Sequence, residues 1–347
     1  QTKLKFDASY EPVAAGGLLI VGSMCDDSIA AYRAETGELA WRFHTDGPVR
    51  FAPVVHKAKV WAVSDDGLLY CLDLASGRLI WKFRAGLDGR KVIGNGRLVS
   101  MWPARGGPVL HDGTLYFAAG IWPFMGTFLY AIDPDTHEVR WCNSSSGSRW
   151  TLQQHDSPAF AGAAPQGYLA AVGDTLLVSG GRTVPAAFDA GTGEFRYFEV
   201  AERQAGYDAG GYDVAAAGAM FVNNGRLYRV SDGSPAGPAK ASVVSADSLY
   251  GVDGAKFFAL SHELRRIDYK DRRGNPLTRY EPISQWTRKL PLTLDRLFLR
   301  AGGRFYASTP NGDVVGIDLA GPGKIAWRDK VDGKPWTMLA ADGRLFV

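Results

Sequence analysis

A strand, an aspartate, a turn of small residues and an aromatic residue recur together along this chain at nearly constant spacing. Residues 68–84 read LLYCLDLASGRLIWKFR, with Trp81 eight residues after Asp73. The same order returns in four other segments, with Arg33 at the aspartate position of the first: 29–43 (IAAYRAETGELAWRF), 128–142 (FLYAIDPDTHEVRWC), 186–198 (AAFDAGTGEFRYF) and 314–328 (VVGIDLAGPGKIAWR). Because several residue types recur together, the pattern indicates an internal repeat, which determines the whole fold.

One copy of the repeat, residues 52–84, divides into four short strands that read APVVH, KVWAVS, LLYCLD and RLIWKF. Glycine in the intervening turns permits the positive φ that tight hairpins require. Asp73 is placed to accept backbone N–H bonds across the third turn, and Trp81 carries a large flat ring to bury between neighbouring sheets. We therefore interpret Asp73 and Trp81 as framework residues and not as catalytic ones.

Four-stranded units placed side by side form a β-propeller, whose blades are radial sheets around a channel. The sequence therefore predicts an all-β propeller with seven recognisable blades and a partial eighth, which makes eight blades when complete. The predicted blades begin near Glu11, Ala52, Gly107, Ala164, Asp213, Ala246 and Leu290.

A single propeller domain is predicted over residues 1–347. Its last segment, residues 335–347 (PWTMLAADGRLFV), supplies only two strands of the eighth blade. Because a propeller avoids exposed sheet edges by closing its ring, residues 1–10 are expected to complete this blade. The alternative is an open blade in a fragment of a longer protein.

Composition agrees with this fold and excludes several functions. The 42 glycines, with 10 Trp, 14 Tyr and 17 Phe, suit many short strands joined by tight turns. The mild net charge of +3 gives no argument for nucleic-acid binding, which usually demands a concentrated basic stripe. The basic run at 262–275 (HELRRIDYKDRRGN) interleaves acids and is predicted to be a solvated hairpin. No apolar run approaches the ~18 residues of a membrane span, so no transmembrane segment is expected.

The cysteines and histidines show no metal-ligand spacing. Cys25, Cys71 and Cys142 lie far apart, without a CxxC motif or an adjacent pair, which argues against a zinc ribbon or a disulfide scaffold. The six histidines are scattered, without an HxxxH pair. No metal site is therefore predicted.

The propeller topology brings polar and aromatic side chains to one mouth of the channel. In a four-stranded antiparallel blade, the segment entering the first strand and the turn between the second and third strands lie on the same face. A guanidinium suits a carboxylate or phosphate, and aromatic faces suit planar ligands. The predicted site binds a small anionic ligand, aromatic or sugar-like, through Arg50, Arg105, Arg182, His155, Trp102, Trp122, Tyr207 and Tyr212.

Each of these residues also has a structural interpretation. Trp102 and Trp122 either stack on a ligand or pack their own loops. His155 and Asp156, the catalytic candidates, either form an acid–base pair or hydrogen-bond within their loop. The arginines either bind the ligand or staple adjacent blades, in which case Arg50, Arg105 and Arg182 pair with Asp27, Asp66 and Asp156.

The pattern LYxLDxxTGxxxW, followed by a strand of the form sPvv, resembles the PQQ-like repeat of quinoprotein dehydrogenases. It is similar also to non-catalytic propellers that share this repeat, such as the outer-membrane assembly lipoprotein of bacteria. The stretches SMWPARGGPVL (100–110) and YFAAGIWPFMG (116–126) further resemble bacterial PQQ-like propeller proteins, some of which carry additional domains. The resemblance implies an extracytoplasmic location, periplasmic or secreted.

For function, the resemblance implies two main hypotheses. The first is a non-catalytic ligand-binding or scaffold propeller without a cofactor, whose partner is a small anion, another protein or further domains of a longer chain. The alternative is a PQQ-dependent alcohol or sugar dehydrogenase; such enzymes hold PQQ with calcium, an Asp base, a Trp floor and usually an adjacent-Cys disulfide ring, which this chain lacks. A third hypothesis is a carbohydrate-active or lyase propeller that uses His155 and Tyr212.

Overall fold

A computed structural model describes residues 11–94, 96–152, 158–181, 183–198, 210–271, 273–318 and 324–347. It contains two compact units, Gln1–Val214 and Ala215–Val347, which are considered separately below. The single domain over residues 1–347 stays a prediction.

Four antiparallel sheets of four strands each follow one another in the first unit, and the strands of every sheet are ordered as in the sequence. Two-stranded hairpins, β9–β10 and β15–β16, are inserted between sheets, and a 3₁₀ turn at Pro123–Met125 separates β12 from β13. The strands are β1 (Val13–Ala15), β2 (Leu18–Ser23), β3 (Ser28–Arg33), β4 (Leu39–His44), β5 (Val54–His56), β6 (Lys59–Val63), β7 (Leu68–Asp73), β8 (Leu79–Arg84), β9 (Lys91–Gly94), β10 (Arg97–Ser100), β11 (Gly106–His111), β12 (Thr114–Ala119), β13 (Phe128–Ile132), β14 (Val139–Asn143), β15 (Arg149–Leu152), β16 (Pro158–Ala161), β17 (Leu169–Val172), β18 (Thr175–Val178), β19 (Ala186–Asp189) and β20 (Phe195–Tyr197).

Three further four-stranded sheets follow from Val214 onward, and a two-stranded hairpin ends the chain. Their strands are β21 (Val214–Ala217), β22 (Met220–Asn223), β23 (Arg226–Arg229), β24 (Pro235–Lys240), β25 (Val243–Val244), β26 (Leu249–Asp253), β27 (Lys256–Lys270), β28 (Pro276–Lys289), β29 (Arg296–Ala301), β30 (Arg304–Ser308), β31 (Val314–Asp318), β32 (Lys324–Asp329), β33 (Leu339–Ala341) and β34 (Arg344–Phe346).

These sheets are the blades of an all-β propeller, so the predicted fold class is confirmed. The described residues contain seven four-stranded sheets, as many as the recognisable blades, and β33–β34 matches the two strands expected at the end. The number of blades in the complete ring stays a prediction. Within the described residues, no helix is long and apolar enough to cross a membrane.

The start of the last four-stranded blade differs most from its predicted position. This blade was expected to begin near Leu290, whereas its first strand begins at Arg296. Leu290 and Leu294 are buried in the connection, in one core cluster with Leu297. The apolar pattern that indicates a strand here therefore reflects a packed loop.

The aspartate of the repeat closes its turn as predicted. Oδ1 of Asp73 accepts the backbone N–H of Ser76 at 2.9 Å and the Ser76 hydroxyl at 2.6 Å. Asp133 accepts the N–H of Thr136 at 3.0 Å, and Asp189 forms the same kind of bond in its own turn. The hydrogen bonds from Ser76 hold the pKa of Asp73 below its ordinary value.

The tryptophan of one blade binds the turn of the next blade. Nε1 of Trp41 donates to the carbonyl of Leu74 at 2.9 Å, and a Cβ on Gly77 would lie only 2.5 Å from the indole ring. Trp141 repeats this contact with the carbonyl of Ala190 at 3.0 Å. The regular spacing within the repeat thus places an interblade contact, and glycine at positions 77 and 193 lets the indole ring approach closely.

The core of the first unit forms where neighbouring blades meet. The inner strands β6 and β7 are buried almost throughout, whereas the outer strand β8 alternates between half-buried and exposed residues. One core cluster combines Ile20 and Ile29 of the first blade with Val60 and Leu72 of the second. Burial of apolar side chains between sheets therefore holds adjacent blades together.

The solvated hairpin predicted at residues 262–275 is present, and it is longer than expected. It forms the tip of β27 and β28, which run for 15 and 14 residues. The turn is closed by a hydrogen bond from the N–H of Gly274 to the carbonyl of Asp271 at 3.0 Å.

Candidate functional site

Two adjacent aspartates, Asp65 and Asp66, occupy the turn between β6 and β7 and have different partners. Asp66 accepts the N–H of Leu68 at 2.9 Å, the N–H of Asp46 at 3.1 Å and the hydroxyl of Tyr70 at 2.6 Å. Burial raises the pKa of Asp66, and burial together with the charge of Asp66 raises the pKa of Tyr70. The Tyr70 hydroxyl therefore stays protonated and donates a hydrogen bond to Asp66. Asp66 thus stabilises the turn itself.

Arg50 and Arg105 converge on Asp65, and we call these three residues the Asp65 cluster. Nε of Arg50 donates to Oδ2 of Asp65 at 2.8 Å. Arg105 is bidentate, with Nε 3.0 Å from Oδ1 and Nη2 2.8 Å from Oδ2. The three residues are only 4%, 8% and 1% exposed, in the order Arg50, Arg105, Asp65. Buried charges of this kind depend on one another, because removing one leaves the other uncompensated.

Backbone hydrogen bonds attach the Asp65 cluster to the segments that lead into three blades. The N–H of Asp65 donates to the carbonyl of Pro48, before β5, at 2.9 Å. The carbonyl of Arg105, before β11, accepts the N–H of Gly167, before β17, at 2.9 Å. Gly106 and Gly167 also form a parallel bridge. The cluster therefore lies where consecutive blades are joined.

For Arg50 and Arg105 the structure shows ion pairing, but with Asp65 and not with Asp27 or Asp66. Asp27 instead accepts Nη1 of Arg97 at 2.5 Å. The arginines pair with Asp65 and not with Asp66 because the Asp66 carboxylate already accepts hydrogen bonds from two N–H groups and a hydroxyl. The role of the arginines in ligand binding stays a prediction. The remaining candidates Arg182, His155, Asp156 and Tyr207 lie outside the described residues.

Trp102 is buried and packs its own loop. Its Nε1 donates to the carbonyl of Met125 at 2.8 Å. A Cβ on Gly86 would lie 2.7 Å from the side chain, and the guanidinium of Arg90 lies 5.2 Å from the ring centroid. These contacts are of the kind that the loop-packing alternative expects, and stacking of Trp102 on a ligand stays a prediction.

Tyr212 is half-buried beside the start of the fourth blade. Its carbonyl accepts the N–H of Tyr168 at 2.8 Å. A Cβ on Gly181 would lie 3.3 Å from the Tyr212 ring, so glycine at that position lets the ring approach the β18–β19 turn. The backbone of Tyr212 thus contributes to the same set of blade entrances as the Asp65 cluster.

Trp122 differs from Trp102 because it is exposed to solvent. It precedes the 3₁₀ turn between β12 and β13, and Phe124 lies within that turn. The two rings are tilted, with centroids 6.2 Å apart, and they are 49% and 68% exposed. Neither ring is covered by the sheet that carries it.

The inserted hairpin β15–β16 carries a second exposed aromatic pair. Trp150 and Phe160 lie directly opposite each other in its register, with ring centroids 4.9 Å apart in an edge-to-face arrangement. They are 63% and 62% exposed. Ser148, one residue before the hairpin, donates its hydroxyl to the carbonyl of Pro123 at 2.9 Å, so the hairpin is attached to the turn of the first pair.

We call Trp122, Phe124, Trp150 and Phe160 the aromatic surface. A Phe or Trp side chain carries about 150–250 Å² of surface, so these four leave on the order of 500 Å² of aromatic area in water. That area equals the largest apolar patch of a typical soluble monomer, and such patches mark interaction sites.

Sequence reasoning identified Trp122 but missed Phe124, Trp150 and Phe160. The available signal was the position of these aromatics in connections between predicted strands. Trp150, for example, follows the polar run NSSSGSR at 143–149, where no blade strand is expected. An aromatic residue in such a segment has no sheet face on which to pack.

The dehydrogenase alternative implies PQQ held together with a calcium ion. Calcium needs six to eight oxygen ligands around one point. In the part of the chain that the structure describes, no three His, Cys, Asp or Glu side chains come together to hold a metal. Among the described residues, no disulfide joins Cys25, Cys71 and Cys142, and burial raises the pKa of Cys71 to about 11.

Solved structures with TM-scores above 0.5 share the fold of this chain. A quinohemoprotein alcohol dehydrogenase from Pseudomonas putida HK5 has a TM-score of 0.58 at 13% identity, over 99% of this chain and 70% of that one. The computationally designed Ika8 protein has a TM-score of 0.56 at 11% identity, over 96% of this chain and 91% of that one. BamB from Moraxella catarrhalis has a TM-score of 0.43 at 16% identity, with coverages of 95% and 78%. The search of curated proteins returned no significant match.

The repeat, the four-stranded blades and the interblade tryptophans together define a PQQ-like β-propeller. A family model described as outer membrane protein assembly factor BamB matches residues 1–234, well over half of the chain. The chain belongs to this family. The family description names an assembly factor for outer membrane proteins. The likeness to the solved dehydrogenases shows the fold alone.

Proposed function

We propose that this chain is a non-catalytic scaffold propeller that binds a partner protein through the aromatic surface. The observation that carries this proposal is the exposure of four aromatic side chains on two attached elements, the 3₁₀ turn and the β15–β16 hairpin. Aromatic residues at the centre of an interface contribute most of its binding energy when they become desolvated. A standard interface covers about 800 Å² on each partner, so the aromatic surface would form its central part.

The Asp65 cluster supports a structural role for the blade entrances. Both of its arginines donate to Asp65, and the cluster is buried among segments that join blades. A bidentate contact such as that of Arg105 is the geometry with which an arginine would bind a carboxylate ligand. Here a carboxylate of the protein itself occupies that geometry, which favours protein binding at the exposed aromatics over anion binding at Arg105.

The family description points to the kind of partner. It names an outer membrane protein assembly factor. We therefore propose that the partner is a protein handled during outer-membrane assembly, and that this chain acts outside the cytoplasm. Such clients expose apolar side chains before they fold, and these would pack on the aromatic surface.

The proposal is tested by binding of a labelled outer-membrane β-barrel protein, unfolded in urea and diluted into buffer containing this chain. Wild-type protein is expected to bind the probe, with an increase in fluorescence anisotropy. The double variant Trp122→Ser, Trp150→Ser is expected to bind at least tenfold more weakly, because each buried aromatic anchor contributes more than about 1 kcal/mol. Both residues are exposed, so the double variant is expected to keep its thermal stability.

Leu39→Ser and Ile80→Ser provide matched controls. Both residues are exposed apolar side chains, on the outer strands β4 and β8, and neither belongs to the aromatic surface. Their affinity for the probe should stay within about twofold of wild type. Unchanged binding by the double variant, or equal losses in the controls, would refute the aromatic surface as the contact.

A further inference from the structure

The second unit contains a two-stranded ribbon that extends past its blade. β26 pairs with β27 only from Lys256 to Leu260. Beyond that point β27 and β28 pair with each other alone, through residues 264–270 and 276–282. We call these two segments the ribbon. At about 3.4 Å per residue, β27 continues for roughly 30 Å after its last contact with β26.

One edge of the ribbon is occupied by a neighbouring strand. A Cβ on Gly237 of β24 would lie 2.9 Å from the carbonyl oxygen of Tyr280 of β28, and the guanidinium of Arg229 lies 4.9 Å from the Tyr280 ring centroid. Leu264 packs against the core cluster of β22 and β23. Among the described residues, no strand pairs with the other edge, which belongs to β27.

The two prolines of β28 show which backbone groups that edge presents. Pro276 lies opposite Lys270 and Pro282 opposite Leu264. A proline has no N–H to exchange, so both pairs fit the non-hydrogen-bonded positions of an antiparallel ladder. The two pairs are separated by an even number of residues, which makes this assignment consistent along the ribbon. Accordingly, every second residue of this part of β27 directs its N–H and C=O groups away from β28. These residues are Leu264, Arg266, Asp268 and Lys270.

The side chains of the ribbon favour an acidic partner. Arg266 pairs with Asp268 at 2.9 Å, and Arg279 pairs with Glu281 at 2.9 Å. Within the described residues, Arg265 and Lys270 form no such pair. In the sequence, Arg272 and Arg273 follow Asp271. The excess of charge along β27 is therefore positive.

An apolar strip lies on one face of the same ribbon. Tyr269 and Leu277 are directly opposite each other and exposed, and Ile267 is half-buried on the same face. Alternate side chains of an added strand would extend over this strip. The ribbon therefore offers backbone pairing, apolar contact and positive charge together.

We propose that the outer edge of β27, residues 264–270, accepts an extended acidic segment of a partner protein as an additional β-strand. Main-chain hydrogen bonds would provide the pairing, and Arg265 and Lys270 would select acidic residues. A second copy of this chain is disfavoured as the occupant, because two such edges would bring rows of arginine and lysine together. Positive charge on an edge is a common defence against pairing with like edges, and it leaves acidic strands as acceptable partners.

This inference is independent of the proposed function. It rests on residues of the second unit, whereas the aromatic surface belongs to the first unit. Loss of binding at one surface leaves binding at the other unaffected, so the two proposals fail separately.

The backbone assignment has its own test in the free protein. Amide hydrogen exchange, followed by NMR, is expected to be fast at Arg266 and Asp268 and at least tenfold slower at Arg265 and Ile267. The difference arises because only the latter N–H groups are held in the ladder. Equal exchange rates at all four residues would overturn the assignment and the proposal with it.

Binding is tested on the full chain with a fluorescein-labelled peptide of alternating Glu and Val, eight residues long. Three comparison peptides isolate the contributions of strand pairing, charge and sequence order. In the first, every backbone N–H is methylated, so that neither edge of the peptide can pair. The second has Lys in place of Glu, and the third has a scrambled order with Pro inserted. The acidic peptide is expected to bind, with at least tenfold weaker binding of each comparison peptide. Binding should also protect the Arg266 and Asp268 amides from exchange.

Two variants of Arg266 separate the backbone from the side chain. Arg266→Ala removes the side chain beyond Cβ and keeps the outward N–H. Arg266→Pro removes the guanidinium and also the outward N–H, and leaves the ladder to β28 intact. Affinity of Arg266→Pro for the acidic peptide is expected to fall at least tenfold below that of Arg266→Ala. If Arg266→Pro loses the ribbon's cross-strand exchange protection, the N-methylated peptide decides the question with wild-type protein.

Two results would overturn the proposal. Equal binding of the acidic and N-methylated peptides would show charge attraction without strand pairing. Absence of acidic-peptide binding, whether or not the chain dimerises through the ribbon in sedimentation experiments, would exclude an acidic strand as the occupant.

Discussion

The indole ring of Trp81 lies nearly parallel to the imidazole of His137, with 4.9 Å between the ring centroids and 21° between the planes. His137 occupies the turn position that glycine holds in the equivalent turns, at Gly77 and Gly193, and it keeps the positive φ of that position, 68°. Nζ of Lys59 lies 3.2 Å from Nε2 of His137, where it donates to the neutral ring. The third blade therefore holds the second through a stacked ring and a lysine, in place of the indole–glycine contact.

Trp81→Ala is expected to lower the free energy of unfolding by about 3–5 kcal/mol, as truncation of a packed aromatic does. The variant loses the contacts of the indole with His137, Trp61 and Phe83. Urea denaturation at pH 7 measures the change. Binding of the unfolded-barrel probe by the folded fraction should persist, because Trp81 is not part of the aromatic surface. A stable Trp81→Ala protein that no longer binds would place Trp81 in the site.

The contact between His137 and Lys59 predicts a pH dependence of stability. Burial of His137, reinforced by the charge of Lys59, lowers the pKa of the imidazole below its ordinary value of 6.5. Asp133 and Asp135 act in the opposite direction without reversing this shift. The folded state thus favours the neutral ring. Its contribution to stability is complete above the unfolded-state pKa and is lost as the pH falls through the lower, folded-state pKa.

His137→Gly measures this contribution, because glycine is the residue of the equivalent turns. Wild-type protein is expected to lose more unfolding free energy between pH 7 and pH 5 than His137→Gly does. Urea titrations at intervals of half a pH unit give both curves. The other titrating groups are common to the two proteins, so parallel curves would show that His137 does not respond to pH in this range.

The blades were predictable from sequence because their strands carry a repeated local chemistry. Asp73 and its turn are defined by contacts within a few residues, and Trp41 needs only a glycine in the next turn. Leu290 shows the limit of such patterns, since a buried loop leucine and a strand leucine have the same hydrophobic signal. The repeat therefore located the blades better than the apolar pattern located their first strands.

Which aspartate pairs with Arg50 and Arg105 was not predictable in this way. Asp65 and Asp66 are adjacent and chemically identical, and only the path of the turn decides which one faces Arg50 and Arg105. The lengths of β27 and β28 were hidden for a related reason. Their exposed residues satisfy strand geometry without a buried face, so hydrophobic alternation does not mark where the blade ends and the ribbon begins.

Arg105→Lys is expected to destabilise the protein by about 1–3 kcal/mol although it retains the positive charge. An ammonium group does not reproduce the two parallel bonds that Arg105 donates to Asp65. Arg105→Ala should cost more, about 3–5 kcal/mol, because it breaks a buried ion pair. Thermal and urea unfolding of both variants measure the order. Native stability of Arg105→Ala would show that the Asp65 cluster does not hold the blades and would restore Arg105 as an anion-binding candidate.

Gly37 and Gly77 allow the interblade role of the repeat to be separated from the requirements of its turn. Each N–H closes its turn on the residue four positions earlier, and the φ values are 75° and 68°. A Cβ on Gly37 would meet nothing within 4 Å, whereas one on Gly77 would lie 2.5 Å from the ring of Trp41. Gly37→Ala should therefore cost about 1–2 kcal/mol from backbone strain alone. Gly77→Ala should lower the free energy of unfolding by about 1–3 kcal/mol more, because its methyl group overpacks against Trp41. The tryptophan fluorescence spectrum should change as Trp41 moves. Equal losses of unfolding free energy in the two variants would mean that the Trp41 contact contributes nothing to the joining of the blades.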